Sequence, residues 1–85
     1  MLGLQYTRMA LDHWEQWLPK MTQELRDVGQ LNYEAQMASK RAAERVAQLM
    51  MQGFQKHEAE EIVLPELILL PPEPEVLENE KDEED

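Results

Sequence analysis

The stretch YEAQMASKRAAERVAQLMMQ, residues 33–52, decides the fold class of this chain. Ala35, Ala38, Ala42, Val46, Leu49 and Met50 recur at intervals of mostly three and four, forming one apolar stripe. Lys40, Arg41, Glu44 and Arg45 lie largely opposite. That is the period of an amphipathic α-helix and not of a strand. Asn32 is the expected N-cap, Glu34 falls in the first turn where the helix dipole favours an acid, and Gly53 is the expected stop. Ala38, Ala42 and Ala43 predict a second helix lying close against this one.

Upstream, YTRMALDHWEQWL (residues 6–18) repeats the helical pattern through Tyr6, Met9 with Ala10, His13 with Trp14, and Trp17 with Leu18. Pro19 has no N–H to give. It therefore ends this helix near Trp17, opens the next at its first position, or kinks a continuous one. In PKMTQELRDVGQL (19–31), Met21, Leu25 and Val28 continue the face begun by Leu18, and Gly29 is a left-handed stop over which Leu31 can fold.

Downstream, QKHEAEEIVL (55–64) is a fourth helical stretch, with Phe54, Ala59, Ile62 and Val63 as its apolar members. Leu64 precedes Pro65 and is pushed towards extended backbone. PELILL then reads as a strand-like arm or as one or two helical turns. Seven of the nine residues from Ile62 to Leu70 are apolar, more than an alanine-faced core of three helices is expected to cover. PPEPEVLENEKDEED, residues 71–85, has too little apolar content to fold and is expected to be disordered. The expected layout is a lead at 1–5, a helical domain at 6–70 that includes an apolar arm at 62–70, and an acidic tail at 71–85. The expected fold is all-α: a small three- to four-helix bundle or hairpin arrangement with a C-terminal extended apolar arm and a disordered acidic tail.

Charge and composition narrow the function classes. The chain has 85 residues and a net charge of −10, but residues 1–70 hold 10 acids against 7 bases, while 71–85 hold 8 acids and one Lys. No basic stripe exists to displace counterions from a phosphate backbone, so direct nucleic-acid binding is not expected. No run approaches the roughly 18 apolar residues that span a bilayer, and no signal-peptide core opens the chain, so a cytoplasmic protein with no membrane partner is expected. Without cysteine, neither disulfides nor thiolate-bound zinc can supplement the small core.

The sharpest chemical pattern is His57, Glu58 and Glu61, an H-E-x-x-E spacing that puts a His and a Glu one turn apart. A zinc site needs a third ligand, and the other histidine, His13, sits far away in the sequence. Glutamates at the start of a helix are the ordinary alternative. Ser39, Thr7 and Thr22 have no evident base and orienting partner. Asp12 with Glu15, and Glu24 with Asp27, look like solvated helix faces; with only three glycines, none in a phosphate loop, nucleotide chemistry has no seat. The expectation is no enzyme, no catalytic residue, no metal, no cofactor and no small-molecule substrate. Trp14 and Trp17, with Tyr6 and His13 nearby, are the richest aromatic cluster; core is the first reading and an interface the second. Met51 falls off the main stripe and suits contact with another chain. The expected partner-binding residues are Trp14, Trp17, Met51, Ile62, Val63, Leu64, Leu67, Ile68, Leu69 and Leu70. They would serve a protein partner, a homo-oligomer, or both.

HWEQWLP, LRDVGQL and EIVLPELILL together resemble the TnpV-type small proteins of transposons and prophages. The matching positions are His13 and Trp14; Leu25, Gly29 and Leu31; and Glu61, Ile62, Val63, Glu66, Leu67 and Ile68. Pro65 and the shorter length depart from the pattern. The resemblance implies a helical fold and a phage or mobile-element context, and no reaction. Together these readings predict a non-enzymatic helical protein that binds a partner or itself; an acidic mimic that inhibits a DNA- or RNA-binding protein is the alternative.

Overall fold

The structure, a computed structural model, describes residues 3–77. Four helices follow one another: α1 (Thr7–Trp17), α2 (Pro19–Asp27), α3 (Leu31–Met51) and α4 (Lys56–Leu67). Among the described residues there is no strand, so the all-α expectation holds. α3 is the hub, packed against α1 and α4 and more lightly against α2. The body is flat, 45 × 33 × 14 Å, which at helix spacings of about 8–10 Å allows at most two helices in depth.

Small side chains set that thinness. Ala10, Ala35, Ala38, Ala42 and Ala59 are all buried, so backbones approach closely where α3 meets its neighbours. Tyr6, Trp14, Leu18, Val46, Leu49, Val63 and Ile68 fill the remainder.

The ends of the first three helices account for their backbone groups with little help from local side chains. Gly29 (φ +72°) lets α2 stop in a left-handed turn: its N–H donates to the Arg26 carbonyl at 3.0 Å, and the Gln30 N–H reaches Leu25 at 2.8 Å. Gly53 repeats the device after α3, with Phe54 reaching back to Leu49. Asn32, expected as the N-cap of α3, instead lies inside its first turn; Gln30 is the cap residue, and its carbonyl accepts the Glu34 N–H at 2.9 Å. The tight glycine turn brings the chain into helix two residues early. Glu34 does sit in the first turn.

The largest correction concerns the C-terminal third. Pro65 does not end α4: the helix runs through it to Leu67, so the expected extended arm at 62–70 is helical over most of its length. Glu61, whose carbonyl loses its usual donor at Pro65, is exposed, as is Pro65 itself; water can serve the freed group, which limits the cost of the break. Nor is the segment too large for its own chain to cover. Val63 is 1% exposed and Ile68 0%, while Leu64, Leu67, Leu69 and Leu70 are partly buried. Residues 71–77, expected to be disordered, lie against the α1–α2 junction through Glu73 and end in a single helical turn at 74–77. Residues 78–85, the rest of the acidic tail, fall outside the described residues, as do residues 1–2 of the lead.

Candidate interaction surface

α1 and the start of α2 form a corner that grips the chain after α4. Trp14, on the inner face of α1 and 4% exposed, donates its indole N–H to the Ile68 carbonyl at 2.8 Å. One position earlier, His13 Nε2 lies 2.8 Å from the Leu70 carbonyl. A carbonyl can only accept, so Nε2 carries the proton. The His13 and Trp17 rings lie side by side with centroids 6.4 Å apart.

Beyond Pro71 and Pro72, the Glu73 N–H donates to the Trp17 carbonyl at 3.0 Å. The Glu73 carboxylate then accepts two backbone bonds at the start of α2, from Lys20 N–H at 3.1 Å and Met21 N–H at 3.0 Å. The first turn of α2 is thereby complete: Pro19 has no donor, Lys20 and Met21 go to Glu73, and Thr22 donates to Leu18 at 2.9 Å. A negative group at this end also meets the positive pole of the helix dipole.

Sequence reasoning missed this clamp. The signal that could have found it is Leu18: a leucine in the cap position gives the helix start no acceptor, so one must come from elsewhere.

At the other end of the body, the α3–α4 elbow carries Met50, Met51 and Phe54 in the open, with Met51 89% exposed. Ile62 is also exposed, at 42%. The residues expected to bind a partner therefore divide. Met51 and Ile62 face solvent; Trp14, Val63 and Ile68 are corrected to core positions; Trp17, Leu64, Leu67, Leu69 and Leu70 are partly covered by their own chain. The physical reason is that the helical continuation through Pro65 turns Val63 towards α3 and delivers Ile68 under Trp14.

Several of the chemically suggestive groups have structural employment. Glu58 closes a capping box at the start of α4, where its carboxylate accepts the Gln55 N–H at 2.9 Å, and His57 is exposed. Among the described residues, no three His, Asp or Glu side chains gather as metal ligands would. Asp12 pairs with Arg8 at 3.3 Å and Glu15 with Arg26 at 3.2 Å, lining an open hollow of about 420 Å³ whose charges are neutralised in pairs. Asp27 accepts from Gln23. Ser39, fully buried on α3, accepts the Tyr6 N–H at 2.9 Å and donates to the Gly3 carbonyl at 2.6 Å, pinning the N-terminal lead. The Tyr6 hydroxyl donates to Glu60 at 2.6 Å. Burial, then that bond and the charge behind it, push its pKa up to about 12.

No described helix is long and apolar enough to cross a membrane. The chain matches no protein-family model, no curated protein and no solved structure.

Proposed function

We propose that this chain is a non-enzymatic protein that acts by binding, either to a second copy of itself or to another protein. The observation that carries the reading is the α3–α4 elbow, where Met51 stands 89% exposed between the exposed Met50 and Phe54. Flexible thioethers beside an aromatic ring form an adaptable apolar surface. Light scattering on the full chain and on a Met50→Gln/Met51→Gln variant tests it. The wild type associates with itself or retains a protein from cell extract, and the variant does so less. A wild type that remains monomeric and retains nothing that the variant fails to retain would remove the proposal. The TnpV-type resemblance adds a phage or mobile-element setting to the same proposal.

A second reading has its own support in α4, where Glu58, Glu60, Glu61 and Glu66 face one Lys. An acidic helix can occupy a basic nucleic-acid-binding protein. Under that reading, retention of the partner is lost at high salt.

A further inference from the structure

The α1–α2 corner reads a peptide in register. Trp14 takes the carbonyl at Ile68, His13 the carbonyl two residues on at Leu70, and the start of α2 takes the carboxylate three residues further at Glu73. Trp17 supplies a fourth point by accepting the Glu73 N–H. Every one of these bonds joins residues 68–73 to residues 13–21, across more than fifty positions of sequence.

From this geometry we propose that the corner is a receptor for a segment of the form Ile-Leu-Leu-Pro-Pro-Glu, and that in the self-associated protein its occupant is residues 68–77 of a second copy, exchanged reciprocally. The proposal rests on the self-association half of the function proposed above and adds a second contact, at the corner, to the one at the elbow.

Three observations select a second copy as the occupant. The spacing of two carbonyls and a carboxylate is met by this chain's own sequence, so another copy satisfies the corner with no change of contact. The segment follows the last long helix, and it leaves the corner by moving about one joint, taking Ile68 but no long helix from the core. That joint is already weakened, because Pro65 cannot donate to the Glu61 carbonyl two residues before α4 ends. Pro71, Pro72 and Pro74 restrict the arm beyond it, so an arm released from its own corner loses little freedom on entering another. Exchange of an identical element between copies then costs mainly the entropy of association, and it is a low-cost route to a closed dimer.

Crosslinking tests the exchange, and the absence of native cysteine removes any background. Lys20 and Glu75 are both exposed and line one hollow beside Glu73, so neither substitution touches the core. Full-length chains carrying Lys20→Cys alone and Glu75→Cys alone are mixed, warmed briefly, and oxidised with diamide, which takes up the two thiol hydrogens as the disulfide forms. A third chain carrying both substitutions verifies that the two thiols meet.

With the arms exchanged, the two thiols are held at millimolar effective concentration. At about 10 µM chain, the product joining the two different variants then exceeds the like-with-like products on the order of a hundredfold. A mixed product no more abundant than random collision gives overturns the proposal. Light scattering on the same samples separates the two readings: dimers without the mixed product overturn exchange alone, while monomers without it overturn self-association as well.

Discussion

Replacing Glu73 with Ala removes a helix cap that lies more than fifty residues away in sequence from the helix it caps. The variant leaves the Lys20 and Met21 N–H groups without their acceptor and takes a negative charge from the positive end of α2. Loss of an N-capping acceptor costs about 1 kcal/mol, and the charge at the dipole adds about 0.3–1 kcal/mol, so the sum is about 1.5 kcal/mol. Against a total stability on the order of 5–10 kcal/mol for a chain of this size, that is a large fraction. At about 4–8 °C per kcal/mol, the melting temperature followed by far-UV circular dichroism falls by about 6–12 °C. Glu73→Gln keeps one acceptor oxygen but turns an amide donor towards backbone donors, so it falls between wild type and Glu73→Ala. Trp17, whose carbonyl holds the Glu73 N–H, provides a second readout through its fluorescence. If Glu73→Ala melts within about a degree of wild type, the clamp contributes nothing, and residues 71–77 have no structural role.

Tyr6→Phe loses the bond to Glu60, a charged acceptor, and is destabilised by about 1.5–3 kcal/mol at neutral pH in urea titrations. Because the folded pKa lies above the ordinary value of 10.0, the wild type keeps this contribution below about pH 10 and loses it as pH rises through about 12; the variant lacks that alkaline loss. Trp14→Phe leaves the buried Ile68 carbonyl without its donor and costs about 1–3 kcal/mol by the same assay; an unchanged urea midpoint would mean the indole bond is dispensable. Gly29→Ala forces a Cβ into a left-handed turn at φ +72° and costs about 1–2 kcal/mol, whereas Val28→Ala, next to it and exposed, changes stability by less than about 0.5 kcal/mol.

The helices were legible because their signals are local. The stripe from Ala35 to Leu49 needs only the 3.6-residue period, and the stops at Gly29 and Gly53 need only a backbone that tolerates positive φ. Pro65 misled for the same reason. Its local preference is to break a helix, but its effect depends on which way the freed carbonyl faces, and that is known only once α4 is laid against α3. The interaction residues divided along the same line: Met51 was recognisable as off-stripe, yet nothing near Trp14 in the sequence marks the Ile68 carbonyl as its partner.

By itself, the sequence determined that this chain is helical, where two of its helices stop, at Gly29 and Gly53, and that its central helix is faced with alanine, since each follows from side-chain spacing and backbone conformational cost within a few residues. Only the tertiary structure decided that Trp14 and His13 hold the backbone at Ile68 and Leu70, and that Glu73 completes α2. Those bonds join groups more than fifty residues apart, and a hydrogen bond has no periodicity by which sequence could announce it; it exists where folding brings a donor within about 3 Å of an acceptor.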